Sequence, residues 1–222
     1  MLILVFRSQG DRNSVQVFEN IHSFLDDNPT EVVIINVQIS VGDPTPQELW
    51  DEMMSANIMK GRVYKHEGGV WPKMSTLVNK GIQLIVFYHN GPDCSGSSSN
   101  GCHSKIHEFF DYAHETEWAF DSKSDINNYS SSCPATRGNY GTKDFYSVNH
   151  FLTEWYGPTP IQANDINTKG SLENRIAGCK QQTGDSVNFM NIDFWHTGDL
   201  LEVTQSENRY RSYLANRNRR RL

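Results

Sequence analysis

The sequence predicts an α/β fold whose strands are mostly parallel. Six short apolar runs, rich in Val, Ile and Phe, alternate with amphipathic segments of helical periodicity. Most of these runs are continuous rather than alternating, which is typical of strands that are buried on both faces. The alternation of strand and helix along one chain is the pattern of parallel α/β proteins.

The six apolar runs are the predicted strands. They cover residues 2–6, 31–38, 82–88, 117–121, 145–151 and 188–195. Helices are predicted over residues 14–27, 72–80, 103–114 and 171–182, and after Thr45. Residues 120–143, rich in Ser, Asn, Asp and Gly, are predicted to form a long surface loop.

The predicted helix ends rest on capping signals. Thr45-Pro46-Gln47-Glu48 has the pattern of a capping box with proline at the first helical position. Gly81 and Gly184 lie where C-terminal glycine caps belong. No internal repeat or interdomain linker stands out, so the sequence predicts one α/β domain.

The 222 residues suit a single domain, and their charge is unevenly distributed. Residues 208–222 hold six arginines and no acid, whereas residues 1–207 carry 14 basic and 26 acidic side chains. Because phosphates would repel an acidic body, nucleic acid is not expected as a partner. The basic tail is predicted to be a frayed, solvated terminus, with contact to anionic lipid or RNA as the alternative. No apolar run approaches the ~20 residues of a membrane helix, so at most peripheral membrane contact is expected.

The cysteines and one short motif favour an oxidising, extracellular location. Cys94 and Cys102 bracket a flexible stretch that a small disulfide loop would fit, but the pairing of the four cysteines stays open. Asn128-Tyr129-Ser130 is an N-glycosylation sequon, although so short a pattern recurs by chance. The N-terminal MLILVF lacks the features of a secretory signal.

Polar residues at the predicted strand ends are the candidate functional residues, because chemistry in parallel α/β proteins gathers there. They are Arg7-Ser8, Gln38, His89-Asn90, Asn149-His150, and Asp193 with His196. Asp193 ends an apolar run, so it is expected to be partly buried and to need partners. Without other information, a strand-end histidine such as His89 or His150 is more often structural than catalytic.

Neither a metal nor a cofactor is predicted. His103, His107 and His114 would lie on or near one helix at spacings of four and seven, but no acid or cysteine completes a ligand set. The chain contains no P-loop, dinucleotide-binding, G-x-S-x-G or H-E-x-x-H motif.

Several phrases, in this order and spacing, resemble the phosphatidylinositol-specific phospholipase C-like phosphodiesterases, in particular the X-domain-related proteins that form a single barrel. The phrases are FLDDNPTEVVIINVQ (24–38), WPKMSTLVNKGIQLIVFYHN (71–90), SVNHFL (147–152), and SLENRIAGC followed by VNFMNIDFWHTGDLLEVTQSEN (within 171–208). Together they cover most of the chain.

The resemblance implies a (β/α) TIM-type barrel with its active site at the carboxyl ends of the strands. It implies a phosphoric diester hydrolase of lipid metabolism that cleaves an inositol-lipid phosphodiester. In that family a histidine after the first strand is the general base and one after the third strand is the general acid. An arginine or a calcium ion stabilises the phosphate. Since the strand at 31–38 resembles the fourth strand of the family, residues 1–207 are expected to form a barrel without its first two strands.

Matched residue by residue, Asp193 corresponds to the aspartate of the family's last strand and is predicted to be catalytic. Asn149 and His150 match the family's Asn-His, and with Arg7 they are predicted to bind the head group. No residue matches the general base, and the pKa of Arg7 is too high for a general acid. We therefore expect a phosphodiesterase-family protein without measurable turnover. The alternatives are a noncatalytic phosphate- or inositol-binding protein, and a fragment of a longer gene product.

Overall fold

The computed structural model describes residues 14–38, 44–58, 60–89, 102–138, 141–153 and 157–219. Its helices are α1 (Ser14–Asp27), α2 (Pro46–Ser55), α3 (Met74–Asn79), α4 (Phe109–Tyr112), α5 (Lys123–Asn127), α6 (Tyr129–Ser132), α7 (Pro160–Ile166), α8 (Lys169–Thr183) and α9 (Leu200–Arg219). Its strands are β1 (Val33–Gln38), β2 (Leu84–His89), β3 (Ile106–Glu108), β4 (Ala113–Thr116), β5 (Ala135–Arg137), β6 (Phe145–Asn149) and β7 (Phe189–Asn191). The predicted α/β class is confirmed, while the strand predicted at 2–6 lies outside the described residues.

The chain divides into two compact units. Among the described residues, those up to Tyr112 form the N-terminal unit, and those from Ala113 onward form the C-terminal unit. The described strands pair in two sheets, one in each unit, and neither of these two sheets closes on itself.

The sheet of the N-terminal unit is parallel, in the order β1-β2-β3. Helices α1 and α2 cover one of its faces, where Phe18 and Leu25 join a core with Met53, Ile35 and Val86. Residues two apart along a strand share a face, so the other face carries a different set of side chains. That set combines the apolar residues Ile34, Ile85 and Phe87 with the polar residues Asn36, Gln38, His89 and His107, for which we call it the polar face.

The sheet of the C-terminal unit has the order β5-β4-β6-β7. Strands β4, β6 and β7 are parallel, and β5 pairs antiparallel with β4 at the edge. Tyr146 and Val148 of β6 pack with Cys133 and Cys179, which form a disulfide between the end of α6 and helix α8. Cys102 of the N-terminal unit is also disulfide-bonded.

The capping signals hold in the structure. Thr45 Oγ1 accepts a hydrogen bond from the Glu48 N–H at 3.3 Å, and the Thr45 N–H donates to the Glu48 carboxylate at 2.8 Å. At the end of α3, Gly81 has a φ of 68° and its N–H bonds the Val78 carbonyl. Gly184 ends α8 in the left-handed conformation, with a φ of 80°.

Three secondary-structure predictions are wrong. The predicted helix 103–114 is helical only at Phe109–Tyr112, because the flanking residues pair in β3 and β4. The predicted strand 117–121 begins only after β4 has ended at Thr116, and it lies in no described strand. The predicted loop 120–143 contains α5, α6 and β5, which packing and pairing stabilise although local propensity does not predict them.

Helices α7 and α9 were not predicted. Helix α7 begins at a second capping box, formed by Thr159 and Gln162, in which Pro160 takes the first helical position. Helix α9 extends through Arg219, so residues 208–219 are helical rather than frayed. Arg211 of this helix bonds Glu207 and the Val187 carbonyl. None of the described helices has the length and apolar character that crossing a membrane requires.

Candidate functional site

A buried polar cluster lies on one face of the C-terminal sheet. Glu115, Ser147, Asn149 and Asn191 share this face, because Glu115 pairs with Ser147 and Asn149 pairs with Asn191. All four residues are buried. We call these four residues, together with Arg137 of the edge strand, the Glu115 cluster.

The side-chain amide of Asn191 is the centre of this cluster. Its Nδ2 lies 2.8 Å from Asn149 Oδ1, 3.1 Å from Ser147 Oγ and 3.2 Å from Glu115 Oε1. Ser147 Oγ lies 3.4 Å from the same carboxylate oxygen. One donor group therefore connects all three strands of the parallel part of the sheet.

Arg137 balances the charge of Glu115. Its guanidinium lies 2.9 Å from Glu115 Oε2, and its side chain is 26% exposed whereas that of Glu115 is 4% exposed. Burial raises the pKa of Glu115, and it outweighs Arg137 and the hydrogen bonds, which lower it. The pair offers a carboxyl group that can exchange a proton and a partly exposed guanidinium of the kind that binds phosphate.

Asn149 and His150, predicted to bind substrate, lie inside the packed unit. The Asn149 N–H donates to Thr116 Oγ1 at 2.9 Å, and Asn149 Nδ2 donates to the Thr116 carbonyl at 3.1 Å. His150 is fully buried, with Nε2 2.9 Å from the Ile166 carbonyl oxygen. Burial lowers the pKa of His150 to about 4, so the ring is neutral at pH 7. The bonds seen for these two residues are structural, and their binding role stays a prediction.

Asp193 follows β7 and is partly buried, as expected. Its backbone carbonyl accepts a hydrogen bond from Asn167 Nδ2 at 2.9 Å. It lines a small pocket with Phe151, Thr159 and Gln162. The cavity volume is about 10 Å³, which suits roughly one water molecule. Its catalytic role stays a prediction, and Arg7, Ser8 and Asn90 lie outside the described residues.

Aromatic rings pack against the two histidines on the polar face of the N-terminal sheet. His89 is 3% exposed and stacks on Phe109, with ring centroids 4.4 Å apart. The His107 ring bonds the Tyr64 backbone and lies 6.0 Å from the Trp71 ring. Burial lowers the pKa of His107 to about 4. Gln38, at the end of β1, is exposed.

The three histidines considered as a metal face lie in different surroundings. His103 stacks on Trp50 at 3.8 Å, His107 lies among aromatic rings, and His114 is 3.4 Å from Asp185. Within the part of the chain that the structure describes, no group of three or more His, Cys, Asp or Glu residues could hold a metal ion.

Arg175 is a buried charge that sequence reasoning missed. It is fully buried and donates to the carbonyls of Ile126 at 2.7 Å, Ser132 at 2.9 Å and Asn149 at 3.2 Å, and also to Ser132 Oγ. Burial lowers its pKa to about 10, so the guanidinium stays charged at pH 7. One signal was available, since Arg175 lies one turn from both Leu172 and Cys179, on the apolar face of the predicted helix.

Glu115 and Arg137 were also missed. Glu115 lies just beyond the predicted helix 103–114, and Arg137 lies within the predicted loop 120–143. For Arg137 the sequence carries no local signal, because its partner belongs to the neighbouring antiparallel strand.

Comparison with known proteins gives one match. The family model described as PI-PLC X 1 matches residues 8–208. No curated protein and no solved structure gives a significant match. The matched range contains every described strand and both buried polar faces. The chain therefore belongs to the PI-PLC X family.

Proposed function

We propose that this chain is a phosphoric diester hydrolase-family protein of the phospholipase C-like kind. It binds an inositol-lipid head group but does not cleave the phosphodiester at a measurable rate. Membership of the PI-PLC X family supports a phospholipase C-like function in general terms. The head group and the weak turnover are the parts of the proposal that need their own argument.

The burial of His107 and His150 carries the proposal. Both histidines have a pKa of about 4. General acid–base catalysis is most efficient when the pKa lies near the working pH, and each such group contributes typically ~10²–10⁴-fold. Histidines this weakly basic would accept a hydroxyl proton poorly at pH 7. His150 is further removed from substrate because it is fully buried and bonded to the Ile166 carbonyl.

Binding of the phosphate of the head group is assigned to Arg137, the partly exposed cation of the Glu115 cluster. A guanidinium can donate two parallel hydrogen bonds to a phosphate, and Arg137 is partly exposed. A phosphate that draws Arg137 away from Glu115 would leave the buried carboxylate without its cation. Since the pKa of Glu115 would then rise further, head-group binding is expected to take up a proton. Asp193, Asn149 and Arg7 remain the proposed further contacts, whereas the fully buried His150 is not expected to reach the head group.

The TIM-type barrel implied by the family is part of this proposal. Parallel pairing within each sheet supports it, as does the division of each sheet into a helix-covered face and a polar face.

The test combines binding and turnover on the purified chain. Titration calorimetry with glycerophosphoinositol, in two buffers of different ionisation enthalpy, should show saturable binding with proton uptake. Phosphatidylinositol vesicles should give no product above a protein-free control. Arg137→Gln should weaken binding at least tenfold, whereas Arg209→Gln, at an exposed position of α9, should not.

The outcomes separate the alternatives. Rapid release of inositol phosphate would contradict the absence of turnover and establish an active enzyme. Binding of inositol phosphate as tight as that of the diester would favour a noncatalytic phosphate-binding protein. Absence of binding to either ligand would overturn the proposal.

A further inference from the structure

The sequon Asn128-Tyr129-Ser130 begins at the single residue between α5 and α6 and continues into the first two residues of α6. It is the only Asn-x-Ser/Thr triplet in the sequence without proline at its centre. The other triplet, Asn28-Pro29-Thr30, has proline there, which prevents N-glycosylation. The chain thus contains one acceptor sequence and one natural negative control.

The geometry at Asn128 leaves its acceptor nitrogen accessible. The residue is exposed, and its side chain makes no capping hydrogen bond to α6. Ser130 Oγ donates to Asn128 Oδ1 at 2.8 Å, so the sequon hydroxyl already contacts the sequon amide. None of the hydrogen bonds among the described residues uses Asn128 Nδ2, the atom that would carry the sugar.

The central residue of the sequon is held by the protein core. Tyr129 is half-buried and lies over Gly178 of α8, so closely that a Cβ added there would lie 2.3 Å from Tyr129 Cδ2. Asn128 and Ser130, on either side of it, are both exposed. A glycan on Asn128 can therefore extend into solvent without displacing the packed tyrosine.

A disulfide close to the sequon supplies independent evidence about the compartment. Cys133, three residues after Ser130, is bonded to Cys179, and the described Cys102 is also in a disulfide. Such bonds persist in the secretory lumen and outside the cell, and N-glycans are added in that lumen.

We propose that Asn128 is an N-glycosylation site. The co-reactant is an oligosaccharide joined through a pyrophosphate to a lipid carrier. Asn128 Nδ2 forms a bond to C1 of the first sugar as the bond from C1 to the pyrophosphate oxygen breaks. The lipid pyrophosphate leaves with that electron pair, and Nδ2 gives up one proton.

The test is secretion of the full chain, behind a cleavable leader, from a eukaryotic cell. Intact mass should show one glycan, and enzymatic deglycosylation should convert Asn128 to aspartate while Asn28 stays asparagine. Asn128→Gln and Ser130→Ala should remove the glycan completely. Ser130→Thr should keep it, and so should Asn127→Gln, which changes the exposed neighbouring asparagine outside the sequon.

Two results would overturn the proposal. One is a secreted chain that contains the Cys133–Cys179 disulfide but has an unmodified Asn128. The other is a glycan that persists in Asn128→Gln. Because Ser130→Ala removes only a hydroxyl from an exposed residue, secretion of that variant in normal yield separates loss of glycosylation from failure to fold.

Discussion

Arg137 contacts the buried carboxylate of Glu115 at 2.9 Å and so joins the edge strand β5 to β4 by a charge pair as well as by backbone pairing. The two side chains differ in exposure, 26% for Arg137 and 4% for Glu115. Water can still solvate the charge of Arg137 when the pair is broken, whereas the buried carboxylate of Glu115 would lose its main source of charge stabilisation. Removing Arg137 should therefore lower the free energy of unfolding substantially, because it leaves the buried acid unpaired.

Arg137→Met should lower the free energy of unfolding by about 3 kcal/mol, because it leaves a buried carboxylate without its cation. Urea unfolding at pH 7 measures the loss. The matched control is Lys123→Met, which breaks the exposed pair with Asp165, whose side chains are 42% and 64% exposed. That change should cost less than about 1 kcal/mol. Equal losses in the two variants would contradict the importance of burial.

Glu115→Gln should change how stability depends on pH. The pKa of Glu115 is raised above 4.5 in the folded protein, so the folded state binds more protons than the unfolded state just above that pH. Its contribution is fully present below pH 4.5 and is lost as pH rises through the folded pKa. The two histidine contributions described below are common to both proteins, so the Glu115 contribution is the difference between them. The free energy of unfolding of the natural chain minus that of Glu115→Gln, measured with urea, should fall between pH 4.5 and 8. Parallel profiles would be inconsistent with a raised pKa.

His107 and His150 should make the protein sensitive to acid. Their pKa values fall from 6.5 to about 4 on folding, so the unfolded chain binds more protons between these limits. Their contribution is present above pH 6.5 and is lost as pH falls through about 4, up to about 3 kcal/mol for each ring. NMR titration of the imidazole protons measures the two pKa values of the folded protein directly. Midpoints near 6.5 for both rings would rule the prediction out.

Two glycines of α8 form a matched pair. A Cβ at Gly178 would lie 2.3 Å from Tyr129 Cδ2, whereas one at Gly170 would meet nothing within 4 Å. Gly178→Ala should destabilise the protein by about 1–3 kcal/mol through overpacking. Gly170→Ala should stabilise it by up to about 1 kcal/mol through helix propensity. Thermal unfolding of both variants measures these changes in stability. An unchanged stability of Gly178→Ala would mean that the Tyr129 ring can move aside without cost.

Removal of the Cys133–Cys179 disulfide should cost about 4 kcal/mol, since its sequence separation is 46 and the bond restricts the unfolded chain. The double variant Cys133→Ala/Cys179→Ala, compared with the natural chain by urea unfolding, measures the effect. Reductant should destabilise the natural chain further than the double variant. If the double variant were as stable as the natural chain, the packing around Arg175 would be sufficient without the bond.

Sequence patterns predicted the parts of the fold that depend on neighbours in the chain. Phe18, Ile21 and Leu25 mark α1, and the Thr45 to Glu48 capping box marks the start of α2. The same logic applied to Thr159 and Gln162 would have found α7. The 103–114 segment failed because its apolar spacing fits a helix, whereas pairing of its residues 106–108 with β2 and of 113–114 with β6 leaves only Phe109–Tyr112 helical.

The candidate site was less predictable because its contacts are distant in sequence. Asn191 and Glu115 are 76 residues apart, and neither residue was assigned a role from the sequence. Asp193 could be selected because it ends an apolar run and matches a family phrase. A buried polar network, by contrast, becomes visible only when the strand register is known, since a shift of one residue would place these side chains on the opposite face.

The carbonyls that surround Arg175 come from three separate places in the chain, at Ile126, Ser132 and Asn149. A guanidinium loses its water on burial, and in the folded unit these carbonyls and Ser132 Oγ accept hydrogen bonds from its two terminal nitrogens. A partly folded unit that buried Arg175 before all of these acceptors were in place would leave part of the cation without hydrogen bonds, so we expect such an intermediate to be high in free energy. We therefore expect Arg175 to disfavour partly folded states of this unit and to favour its unfolding in a single step.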